Sequence, residues 1–126
     1  MAKILIVDDD PDVVEAVGLF LQKEGHEVAN AYDRQEGMKQ VASFQPDLIV
    51  LDVMMEQPDD GIAMAQDLRR KDFSNPILML TSVGKATGME FGSDSEMVPV
   101  DDFEEKPIDP AKLVAKVKEL LKKSEG

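Results

Sequence analysis

Five polar residues stand where apolar runs end, and their types are suited to moving a phosphoryl group. Asp8 and Asp9 follow the run Ile4 to Val7, Asp52 follows Leu48 to Leu51, Thr81 follows Ile77 to Leu80, and Lys106 follows the weaker stretch around Phe103. A solubilising charge can sit anywhere on a surface, whereas residues at the ends of parallel strands collect in one crevice. Three carboxylates brought together repel, and they either raise a pKa or hold a cation. A hard divalent ion that keeps several waters, Mg²⁺ above all, resolves the repulsion with oxygen ligands. A carboxylate beside such an ion is a competent nucleophile toward phosphorus and forms an acyl phosphate. An ammonium and a hydroxyl nearby can share the charge of the transferring oxygens, which is most of what phosphoryl transfer asks of a protein. Asp52 is the expected acceptor.

The elements that must position these residues are legible from periodicity. Lys3 to Val7, Asp47 to Leu51 and Ile77 to Leu80 are short, and their apolar residues run on without alternating, as in strands buried on both faces. Weaker strands are predicted at Glu27 to Ala31 and near Asp102 to Glu105. Between them, apolar residues recur at helical spacing. Asp12 to Glu24 carries Val13, Val14, Val17, Phe20 and Leu21, with Asp10 as N-cap, Pro11 at the first position and Gly25 as the stop. Arg34 to Phe44 and Ile62 to Arg70 repeat the pattern more weakly. A last helix begins after the N-cap Asp109 and places Leu113, Val117, Leu120 and Leu121 on one face. Strands alternating with helices predict an α/β chain with a parallel sheet covered on both sides, joined by right-handed crossovers. Gly84, Gly88 and Gly92 punctuate the place where another helix is due, so a short or irregular fourth helix is expected there. The domain is expected to span 1–121, with 122–126 as a loose tail.

Composition removes other classes of function. The chain has 126 residues, 14 Lys plus Arg against 26 Asp plus Glu, a formal net charge of -12, and neither Cys nor Trp. One domain of this size builds a core without disulfide or zinc staples. Cys-dependent zinc, iron–sulfur and thiol chemistry is excluded. The acidic balance argues against direct nucleic-acid binding and against anionic membranes, because both require a positive face. The first apolar run meets three Asp at once, unlike a signal peptide, and no stretch approaches the roughly 20 apolar residues needed to span a bilayer. A cytoplasmic protein is expected.

Four fragments in order, ILIVDDDPD, PDLIVLDVMM, LMLTS and DDFEEKP, resemble the response-regulator receiver domain of two-component signalling over nearly the whole chain. The resemblance implies a flavodoxin-like, doubly wound parallel five-strand sheet in the order 2-1-3-4-5 with helices on both faces. It implies that Asp52 is the phosphoacceptor, that Asp8, Asp9 and the backbone carbonyl of Met54 hold Mg²⁺ with Asp52, and that Thr81 and Lys106 bind the phosphoryl oxygens. Phe103 would be the aromatic that moves with Thr81, a population shift driven by phosphorylation. The implied partners are a histidine kinase or histidine phosphotransfer protein and a separate downstream effector protein, and the family also admits a homodimer. Such a domain assists its own chemistry without turning over an external substrate. The family pattern is not matched in the loop DVMMEQPDDG, which is slightly longer than usual, at Ser82 after Thr81, or in the longer interval before Lys106. Met54 and Val83, both apolar, predict slow loss of the phosphoryl group.

Other readings weigh less. A DDD run also suits the start of a helix, and that remains the expected job of Asp10. His26, the only histidine, is expected at a helix end or surface. A phosphohydrolase with an Asp nucleophile would normally carry a second carboxylate two residues on, where Met54 stands. Nucleotide binding lacks a Gly-rich loop after the first strand. The remaining alternative is a phosphorylation-independent receiver-like interaction module.

Overall fold

The computed structural model describes residues 2–53, 60–82, 100–106 and 108–125. Among them the order is β1 (Lys3–Val7), α1 (Pro11–Lys23), β2 (Glu27–Ala31), α2 (Arg34–Phe44), β3 (Leu48–Asp52), α3 (Asp60–Arg70), β4 (Ile77–Ser82), β5 (Asp102–Lys106) and α4 (Pro110–Glu125). The expected short or irregular helix around Gly84 to Gly92 lies outside the described residues, as do Met54 and Val83. The strands pair in parallel in the order β2-β1-β3-β4-β5. This is the doubly wound, flavodoxin-like arrangement that the sequence predicts.

Alternation along each strand divides the core into two layers. Ile4, Ile6, Leu48, Val50, Leu78 and Leu80 meet α1 and α4 through Val14, Val17, Leu21, Leu113 and Val117. Leu5, Val7, Ile49, Leu51, Ile77 and Met79 meet the other layer through Met64, Ala65 and Leu68 of α3, with Met38, Val41 and Phe44 of α2 packed against them. The central strands are apolar at successive positions because both of their faces are covered. Between the two helices on this side, Arg34 pairs with Asp67, and that hydrogen bond holds the Asp67 carboxyl below the usual range.

Local chemistry sets the helix starts. Asp10 accepts the Asp12 amide at 2.9 Å, with Pro11 inside the first turn, and Gly25 follows the end of α1 at φ 90°. Asp33 and Asp109 cap α2 and α4 in the same manner. Some boundaries differ from expectation. β3 is one residue later than Asp47 to Leu51, because Asp47 turns its carboxylate back to the Lys3 amide at 2.8 Å. β4 runs on to Ser82, and α3 starts at Asp60. α4 continues to Glu125, so 122–125 are helical where a loose tail was expected; Lys, Ser and Glu there neither break nor kink a helix. Among the described residues no helix is long and apolar enough to cross a membrane.

Candidate functional site

β1 and β3 are neighbours at the centre of the sheet, with Val7 level with Leu51. The next residue on each strand is therefore Asp8 beside Asp52, and a parallel sheet sends both to the same edge. One carboxylate oxygen from each of Asp8, Asp9 and Asp52 lies within 4.8 Å of the others. Asp8 is fully buried and Asp52 is 4% exposed, whereas Asp9 faces solvent.

The backbone around the cluster is pinned. The Asp8 amide donates to the Ala31 carbonyl at 3.1 Å, extending the ladder between β1 and β2 by one step. Asp8 Oδ1 accepts the Asp10 amide at 2.9 Å, which orients the carboxylate as the chain turns into α1. Beyond Asp52, the Val53 amide donates to Leu80 at 3.0 Å, and the Val53 carbonyl accepts from the Gly61 amide at 2.9 Å. Gly61, the second residue of α3, lies directly against the end of β3: a Cβ on it would sit 1.9 Å from the Asp52 carbonyl oxygen. In the sequence Gly61 stands only at the end of the loop DVMMEQPDDG. Its signal was a glycine following a strand-end carboxylate at the head of a helix.

Register places the remaining candidates. Asp52 is level with Leu80, Thr81 with Glu105, and Ser82 with Lys106. Thr81 and Lys106 therefore stand at the same sheet edge as the carboxylates. Phe103 is level with Met79, two positions short of Thr81's partner, and its half-buried ring packs on the layer containing Ile77 and Met79. The metal role read for the Met54 carbonyl falls outside the described residues.

His26 is at the opposite end of the sheet, just before β2. Its Nδ1 accepts the Ala2 amide at 3.2 Å, and partial burial, then the positive N-terminus, hold its pKa below 6.5. It is remote from the carboxylates.

Three oxygen donors carrying up to three negative charges, two of them shut away from water, suit a hard cation that takes oxygen ligands and completes its shell with water. Among the described residues the cluster holds no nitrogen or sulfur donor, which disfavours softer metals. The residues present thus fit Mg²⁺.

Comparisons with known proteins agree with this fold. A family model described as the response regulator receiver domain matches residues 4–118. The alkaline phosphatase synthesis transcriptional regulatory protein PhoP of Bacillus subtilis is 39% identical over 127 residues, covering 98% of this chain and 50% of PhoP. The DNA-binding dual master transcriptional regulator RpaA of Synechocystis is 37% identical over 127 residues, covering 99% of this chain and 51% of RpaA. The chain spans about half the length of the curated relatives it matches. Among solved structures, chemotaxis protein CheY4 of Vibrio cholerae superposes with a TM-score of 0.83 at 29% identity, covering 95% of this chain and 98% of that one. The receiver domain of Francisella response regulator 1452 gives 0.82 at 25% identity, covering 98% and 99%.

Proposed function

Because the chain belongs to the response-regulator receiver domain family, we propose that it accepts a phosphoryl group on Asp52 from a phosphohistidine and changes its surface in response. The donor is a histidine kinase or a histidine phosphotransfer protein, and the changed surface is read by a downstream effector. The observation that carries this reading is the convergence of Asp8, Asp9 and Asp52 within 4.8 Å at one edge of the sheet.

An Asp52 carboxylate oxygen forms the new bond to phosphorus as the bond between phosphorus and the donor imidazole nitrogen breaks, leaving the electron pair on the imidazole. Asp8 and Asp9, with Asp52, would hold Mg²⁺, and the Met54 carbonyl is proposed as a further ligand. When bound, the ion neutralises the crowded carboxylates and spreads the charge of the phosphoryl oxygens. Burial and the Asp10 amide hold Asp8 in a single orientation, while exposed Asp9 leaves an open side from which a donor can approach. Thr81 and Lys106 are assigned to the phosphoryl oxygens, since register puts both at this edge. Phe103 is assigned as the ring that moves when Thr81 is drawn inward. The protein acts as a signalling domain, and its chemistry serves its own phosphorylation state.

Intact mass after incubation with acetyl phosphate and Mg²⁺ tests the reading. One added phosphoryl group is expected, absent with Asp52→Asn and absent with a chelator. No addition to the wild type, together with no Mg²⁺ binding by titration, would overturn it in favour of a phosphorylation-independent interaction module.

A further inference from the structure

Among the described residues β5 is the edge strand, paired with β4 alone, and it carries two acids where it meets α4. Glu104 is 6% exposed, and its Oε2 makes no hydrogen bond among the described residues. A buried carboxylate without compensation is costly, so what stands beside it matters. That neighbour is Lys116 of α4, whose Nζ lies 3.3 Å from Glu104 Oε2 and 3.8 Å from Asp102 Oδ1. The same ammonium donates to the backbone carbonyl of Phe103, which lies between the two acids in sequence. The Phe103 amide in turn donates to Asp102 Oδ1 at 2.8 Å. Both main-chain groups of Phe103 are thereby taken by side chains, while its ring packs in the layer containing Ile77 and Met79, away from α4.

We infer that Lys116 is a positioning residue that grips β5 from α4, so that one ammonium sets the backbone on which the Phe103 ring and Lys106 are carried. The charges fit this role better than plain packing. A strand face covered by a helix is filled most cheaply by apolar residues, and an apolar pair would leave the Phe103 carbonyl without its donor. An ammonium shared by a carbonyl and two carboxylates also has a discrete arrangement to lose, which makes movement of β5 felt at α4. The consequence for signalling rests on the assignment of Phe103 and Lys106 to the phosphorylation site; the grip itself does not.

Amide hydrogen exchange on the full chain tests the grip, with Lys116→Met and Lys116→Arg as the pair of variants. Lys116→Met is expected to lose at least tenfold protection at 102–105 while β1 and β3 keep theirs, and Lys116→Arg, which retains charge and donors, is expected to behave as wild type. If Lys116→Met does not fold, Glu104→Leu combined with Lys116→Met removes both charges and must show the same local loss. Unchanged protection, or an equal loss in all five strands, would overturn the inference. The rate of Asp52 labelling by acetyl phosphate with Mg²⁺ is the second readout. It should change at least threefold in Lys116→Met and not in Lys116→Arg; an unchanged rate with a loosened β5 would overturn the positioning role. Absence of labelling in every protein, wild type included, would refute the phosphoacceptor assignment, and the exchange result would then decide the grip alone.

Discussion

The backbone of Gly61 lies so close to the end of β3 that a side chain there would place its first carbon 1.9 Å from the carbonyl oxygen of Asp52. The same glycine donates its amide to Val53 at 2.9 Å, so the head of α3 and the residue after Asp52 are locked together. No side chain is available to yield in this contact, since the atoms that would be struck belong to the main chain of Asp52 and Val53. Gly61→Ala must therefore shift the Asp52 backbone or the start of α3. An overpacking cost of about 1–3 kcal/mol is expected in chemical denaturation. The rate of phosphoryl uptake at Asp52 is expected to fall by about tenfold, the scale on which small misplacements act on a reaction that depends on alignment. Wild-type uptake in this variant would show that Asp52's position does not depend on that contact.

The acidic cluster carries opposite stability signatures with and without metal. Unit charges at such separations repel by about 1 kcal/mol where water screens them, so Asp9→Asn is expected to stabilise the metal-free protein by a similar amount. Metal at a hundredfold over its dissociation constant adds about 2.7 kcal/mol to the wild type, and Asp9→Asn should lose most of that gain. Denaturation midpoints with Mg²⁺ and with chelator measure both signs at once. Equal Mg²⁺ stabilisation in the two proteins would remove Asp9 from the ligand set.

Acid is expected to weaken the fold through His26. Burial first, then the N-terminal charge, hold its folded pKa below the ordinary 6.5, with Lys118 acting in the same direction and Glu24 opposing. The unfolded chain takes up the proton first. The contribution is present above the unfolded value of 6.5 and is lost as pH falls through the lower folded value. His26→Gln should therefore lose less stability than the wild type between about pH 7.5 and about pH 5, measured as the difference between their denaturation curves. Parallel losses would show that His26 takes no part.

Much of this site was legible because burial on both faces forces an unmistakable pattern on the central strands. Ile4 to Val7 and Leu48 to Leu51 are continuous apolar runs, and the first acid after each run had to lie at the sheet edge. The N-caps Asp10 and Asp109, each followed by Pro, were equally plain. What escaped was set by tertiary neighbours. Gly61 is required by the carbonyl of Asp52, a contact across a loop that composition does not mark. The stretch Asp102 to Lys106 reads as a weak strand because acids interrupt its apolar pattern, and its buried Glu104 meets Lys116, twelve positions away on a helix. β4 outran its apolar run because its last two residues pair with Glu105 and Lys106, and pairing is not written in hydropathy.

Reductive trapping tests the central claim most directly. Borohydride converts an aspartyl phosphate to homoserine, so peptide sequencing of the labelled, reduced protein reports which carboxylate held the phosphoryl group. The account predicts homoserine at position 52 alone, formed only when Mg²⁺ was present during labelling. Homoserine at Asp8 or Asp9, or a stable phosphate left on a hydroxyl with Asp52 intact, would contradict it.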